Sequence, residues 1–162
     1  MNMDPDGKLE LLRHTVATLA YRGEKTLRNA PVTFSTLRIG DKTRTPAEIL
    51  AHIGDLLDWA LSLAKGEHYW HDSSPRAWDD EIARFFAALK QFDGYLASGA
   101  PLHCAAERLF QAPVADALTH IGQIALLRRL AGAPVRGENY FEAAIVQGRV
   151  GAEQSDKRLE FD

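Results

Sequence analysis

One cysteine, Cys104, is all the chain offers, so no disulfide can form within it, and this usage fits a reducing compartment. Set among alanines and a leucine, Cys104 reads as a small core residue. No run of residues approaches the roughly 18 consecutive apolar positions that a membrane span requires. The formal net charge is only −3, and basic and aromatic residues do not interleave, which argues against a nucleic-acid partner. Internal repeats and low-complexity tracts are also missing. The N-terminal MNMDPDGKLE is acidic and lacks the basic and apolar regions of a secretory signal. Together these absences predict a soluble, cytoplasmic protein.

What is present is helical. The 162 residues form one ordinary domain, 1–162, long enough to bury about 70% of the unfolded surface without staples. A first helix is expected from Lys8 to Asn29, with Leu9, Leu12, Val16, Leu19, Gly23 and Leu27 on one face, ended by Ala30-Pro31. The connection that follows, VTFSTLRIGDKTRT, is long for neighbouring antiparallel helices and predicts a crossover. Thr45-Pro46-Ala47-Glu48 reads as a capping box with proline at the first helical position, so a second helix starts at Pro46 and closes at Gly66. The loop HYWHDSSP leads to a third helix marked by Trp78, Ile82, Phe85, Leu89, Phe92 and Leu96. Residues 102–111 read as a short helical turn. Gln111-Ala112-Pro113 then introduces a fourth helix, which Gly132 and Pro134 stop. The tail from VRGENYF onward reads as loop with at most one helical turn, and no strand run is convincing. The expected fold is an all-α four-helix bundle.

Two of these helices carry metal-capable side chains within apolar stripes. His52 sits at the centre of Ile49, His52, Leu56, Trp59 and Leu63, and the last helix carries Asp116, His120, Gln123, Leu127 and Leu130 at helical spacing. Both stripes are expected to meet in one core. Asp116 and His120 lie four apart, so they project from one face, and His52 can add a third ligand from the facing helix. A D-x-x-x-H pair alone is common as a local ion pair, and a lone His52 would read as a satisfied core histidine. Burial of all three would be costly unless something satisfies them, which favours a bound metal. Imidazole nitrogen and carboxylate oxygen suit zinc, nickel, iron or manganese, and three protein ligands leave positions open for water or substrate.

At these residues the chain resembles the DinB-like superfamily of metal-binding four-helix bundles. The likeness is carried by Thr45-Pro46, Ala51-His52-Ile53-Gly54-Asp55-Leu56, Asp116-Ala117-Leu118-Thr119-His120-Ile121-Gly122-Gln123-Ile124 and Leu127-Arg128-Arg129-Leu130-Ala131-Gly132. It spans about residues 8 to 137. It implies a bundle with one long crossover connection, a metal held at the places of His52, Asp116 and His120, and homodimers. Two departures bear on the metal: Asp116 stands where many members have a third histidine, and Ile121 where many have arginine. Zinc or nickel is the expected ion, with iron or manganese as alternatives. Characterised members of the superfamily include transferases and isomerases that use low-molecular-weight thiols such as bacillithiol or mycothiol. The resemblance therefore implies a metal-dependent enzyme acting on a small-molecule substrate, concretely a thiol S-transferase acting on small electrophiles. Metal-assisted hydrolysis, iron(II) oxygen chemistry and a non-catalytic metal- or ligand-binding stress-response module are the alternatives, since function does not transfer with fold.

Other residues have two readings each. His68, His71 and Asp72, with Tyr69 and Trp70, either rim a pocket above the metal or form an exposed aromatic loop. Arg128 and Arg129 either hold an anionic thiol or complement the helix dipole in solvent. Gln123, beyond His120 on the same stripe, reads as its hydrogen-bond partner. Asp55, one step off the His52 stripe, either orients His52 or sits in solvent. His14 and His103 have no matching partners and read as structural or exposed.

Overall fold

Four long helical segments carry the fold in the computed structural model, which describes residues 4–162. Met1–Met3, where the acidic N-terminal segment begins, lie outside the described residues. Helix α1 spans Pro5–Leu27, starting before the expected Lys8 because Asp4 is itself a cap: its side chain accepts from Gly7 N at 2.7 Å. Helix α2 spans Pro46–Lys65, and its capping box forms in both directions, Glu48 N to Thr45 Oγ1 at 3.2 Å and Thr45 N to Glu48 Oε2 at 2.6 Å. Gly66 ends it at a left-handed φ of 82°. Helix α3 spans Trp78–Ala97, with Asp79, Asp80 and Glu81 in the first turn, where carboxylates favour the helix dipole.

The fourth segment corrects the expectation of a short turn followed by a new helix at Pro113. Helix α4, Ala106–Leu109, runs into a π turn over Phe110–Val114 and on into helix α5, Ala115–Leu130. Pro113 lies inside this run. Its ring would clash with the preceding turn of an α-helix and its nitrogen has no proton to give, so a widened turn lets the chain continue where an α-helix would break.

The packing partners fix the topology. Helices α1 and α2 each pack against both α3 and α5, so α1 and α2 face one another across the bundle. Arg13 bonds Asp93 and Gly23 abuts Phe85, which makes α1 and α3 antiparallel. Arg84 lies beside Gly54 while Lys65 reaches the ring of Tyr95, which makes α2 and α3 parallel. Residues 28–45 therefore cross the end of the bundle, and residues 66–77 run back along α2 before α3 can begin. Leu12, Val16, Leu50, Ile53, Leu57, Phe85, Leu89, Phe92, Ile121 and Ile124 fill the interior. No helix among the described residues is long and apolar enough to cross a membrane.

The tail is more ordered than its sequence suggests. Strand β1, Gly137–Glu138, pairs antiparallel with strand β2, Glu160–Phe161. Polar groups hold this pair to α1: Lys25 sits 2.8 Å from Glu138 and 2.9 Å from Glu160, and the Tyr21 hydroxyl donates to Glu138 at 2.5 Å. Arg128 also departs from both of its expected roles. It is only 7% exposed and donates to the carbonyls of Thr26 and Arg28 at the end of α1 and of Ala133 just past α5, satisfying those backbone acceptors. It is therefore not available to an anionic thiol. Arg129, its neighbour, is exposed.

Candidate metal centre

The three ligand-type residues come together, though not in the core. On α5 the buried stripe is Ala117, Ile121, Ile124 and Arg128, one residue round from the expected one. Neighbouring residues on a helix are only about 100° apart, so adjacent stripes share much of their periodicity. Asp116, His120 and Gln123 consequently line the edge of the interface between α2 and α5, with the Asp116 side chain 48% exposed. His52, from the edge of the buried face of α2, points into the same shallow groove. Burial therefore bears on the two imidazoles, 19% and 13% exposed in their side chains, and not on Asp116; convergence is what unites the set.

The geometry is compact. His52 Nε2 lies 3.9 Å from Asp116 Oδ2, and His120 Nε2 lies 3.5 Å from Asp116 Oδ1. The two imidazole rings stand edge to face, with centroids 4.8 Å apart. One ligand atom from each of the three residues falls within 4.8 Å of the others. Zinc ligands at 2.0–2.2 Å and tetrahedral angles sit about 3.4 Å from one another, so small side-chain rotations bring this set to bonding distance. Gln123 takes the place expected of it, with Oε1 2.8 Å from His120 Nδ1. Burial lowers the pKa of His52 from its ordinary 6.5, and the positive charge of Arg44 pushes in the same direction. The neutral imidazole, the form that binds a metal, is thereby favoured.

The loop 66–77 supplies one wall. Trp70 stands edge-on to His52 with ring centroids 5.8 Å apart, and Trp59 packs edge-on against Trp70 at 5.7 Å. Of the two readings of this loop, Trp70 meets the rim, while Asp72 is exposed away from these contacts.

His71 belongs to a different cluster that the sequence did not disclose. Its Nε2 lies 2.9 Å from Asp55 Oδ1 and 3.4 Å from Asp58 Oδ2. These three residues also fit the pattern of a metal group, but Arg84 already occupies the middle, with Nη2 2.7 Å from Asp55 and 2.9 Å from Asp58. A guanidinium there supplies the cation that the carboxylates need and leaves no place for a second one. Asp55 is 2% exposed and also accepts from Ser73 N at 2.8 Å and Ser73 Oγ at 2.7 Å. It neither sits in solvent nor bonds His52: it pins the loop that carries Trp70. The only local hint was Asp55 at an apolar flank of α2, and its partners lie 16, 18 and 29 residues away.

The remaining candidates are peripheral to the metal-capable set. His14 is exposed, as expected. His68 and His103 are exposed at a second cavity beside the groove, and half-buried Cys104 lines it too, with its thiol pushed up by burial and partly eased by Arg108.

Compared with protein-family models, with curated proteins and with solved structures, the chain matches none of them.

Proposed function

We propose that this chain is a metal-dependent enzyme of the DinB-like kind, in which His52, Asp116 and His120 hold one divalent ion, zinc or nickel, with iron or manganese as alternatives. The observation that carries the reading is the convergence of three ligand atoms from two helices within 4.8 Å, with Gln123 fixing one of the imidazoles. The resemblance in the residues around His52 and His120, together with the four-helix bundle, supports the family placement. A divalent ion bound there would lower the pKa of a coordinated water or thiol and so provide a nucleophile near neutral pH.

The chain's own residues define the rest. Gln123 orients His120, and Asp116 faces the open side of the groove as the only anionic member of the set. Trp59 and Trp70 give the His52 side an apolar wall that limits water there. Beside Asp116 the groove, lined by Leu56, Trp59 and Thr119 among others, offers about 350 Å³, space for a small-molecule substrate. The favoured reaction is transfer of a low-molecular-weight thiol to a small electrophile such as an epoxide, in which sulfur bonds to carbon, the carbon–oxygen bond of the ring breaks, and the freed oxygen takes up the proton the thiol lost.

Elemental analysis of gently purified protein tests the foundation: about one divalent ion per chain is expected. His52→Ala and His120→Ala should each abolish stoichiometric binding, whereas Asp116→His should retain it and Asp116→Leu should lose it. Full metal content in both alanine variants refutes the ligand set. With metal bound, accelerated conjugation of thiol to epoxide that disappears on chelation supports the transferase. Turnover of esters or amides instead indicates a hydrolase, and saturable binding without turnover a stress-response binding module.

A further inference from the structure

The groove beside Asp116 does not end there. A second cavity of about 590 Å³ adjoins it, and the two share Trp59, Gln111 and Ala112 as common wall. They form one trough along the edge of α2 and the α4–α5 run. One end meets the metal-capable set at Asp116, the middle is apolar through Trp59, Leu63 and Leu109, and the far end carries Arg108, His68 and His103.

That far end carries the guanidinium of Arg108, and among the described residues no acidic one lines the cavity. The neighbouring carboxylate, Glu107, is taken by Lys8 at 2.5 Å, and no ion pair of Arg108 forms among the described residues. The rim is also fixed in place. His103 N donates to Ala64 O at 3.0 Å, and Gly66 permits the approach, because a Cβ there would stand 3.0 Å from His103 Cβ. His68 holds a left-handed φ of 52°, a conformation uncommon for residues that carry a side chain.

Resting on the metal reading, we infer that the trough binds an elongated small molecule whose reactive head lies at His52, Asp116 and His120 and whose other end is anionic, a carboxylate or a phosphate, held by Arg108. The guanidinium offers a planar fork matched to either group. Arg108 precedes Asp116 by eight residues, one of them absorbed by the widened turn, which along the helix is about 10 Å, so the two functions of the ligand are separated by roughly that length. The apolar middle accounts for Trp59, which faces both cavities.

Straight-chain hydroxamates test this directly, because the hydroxamate head chelates a bound ion and the tail can be varied. Zinc-loaded protein is titrated by calorimetry with acetohydroxamate, then with chains bracketing about 10 Å that end in carboxylate or in the uncharged primary amide. The carboxylate ending is expected to bind about tenfold more tightly than the amide at the matching length. Arg108→Gln should erase that preference, and Arg108→Glu reverse it, while both leave acetohydroxamate binding unchanged. Arg108 is exposed, so neither variant threatens the fold. Equal affinity of the two endings, with acetohydroxamate still bound, overturns the inference alone. Failure of acetohydroxamate to bind overturns the metal reading and the inference with it.

Discussion

His120 and Gln123 form a hydrogen bond of 2.8 Å between Nδ1 and Oε1 that leaves His120 Nε2 turned toward Asp116. An amide oxygen only accepts, so Nδ1 carries the ring proton and Nε2 presents its lone pair. Gln123→Leu should weaken zinc binding by about 10- to 100-fold, the usual effect of removing such a partner. Competition with a chromophoric chelator measures this. Because Gln123 is exposed, thermal stability of the metal-free protein should not change.

His52 should titrate below its ordinary 6.5 in the metal-free protein, a shift that NMR of the imidazole signals reads directly. Burial contributes most and Arg44 next, so Arg44→Gln should move the midpoint back up. The sign for stability follows. As the pH falls below 6.5 the unfolded chain takes up this proton before the folded one, so folding stability declines until the folded midpoint is passed. Denaturant unfolding at about pH 7.5 and about pH 5.5 should show this decline, and His52→Gln should lessen it.

Asp55 and Arg84 anchor the loop that carries Trp70. Burial alone would raise the Asp55 carboxyl, but Arg84 and Ser73 outweigh it and hold the group below its ordinary 3.8. The stability this contributes is present at neutral pH and is lost as the pH falls through and below 3.8. Asp55→Ala should cost about 3 kcal/mol, since Arg84 then loses its best buried partner. Hydrogen exchange at the Ser73 amide should rise together with that loss. Unchanged protection at Ser73 would contradict the anchoring role.

Gly23 is required by the ring of Phe85. A Cβ at this position would lie 2.5 Å from Phe85 Cζ, inside the contact distance of any real atom pair. Gly23→Ala should destabilise by about 1–3 kcal/mol despite the better helix propensity of alanine. Adding Phe85→Leu should recover part of the loss in a double-mutant cycle followed by urea denaturation.

Signals that act within one helical turn are legible in the sequence itself. The capping box at Thr45, the glycine stop at Gly66 and the spacing of Asp116, His120 and Gln123 all reappear where the sequence puts them. His52 could be matched to Asp116 because each lies on a recognisable stripe. Rotation of the α5 stripe by one residue was not legible, since Asp116 and Ala117 satisfy nearly the same periodicity and only the facing helices decide between them. The buried polar pairs were hidden for a different reason. Lys25 finds Glu138 at a separation of 113 residues, and Arg84 finds Asp55 at 29, and nothing local to either residue names its partner. Pro113 misled because proline usually breaks an α-helix, whereas the chain widens one turn to keep it.

That widened turn sets the rotational phase between the two ends of the trough. Arg108 and Gln111 precede or enter it, Asp116 and His120 follow it, and the extra residue it holds turns one half of the helix by about 100° relative to the other. Removing Ala112 would take out one small side chain and no charge. It would also swing Arg108 out of line with His120, so that a ligand long enough to reach both would find only one of them.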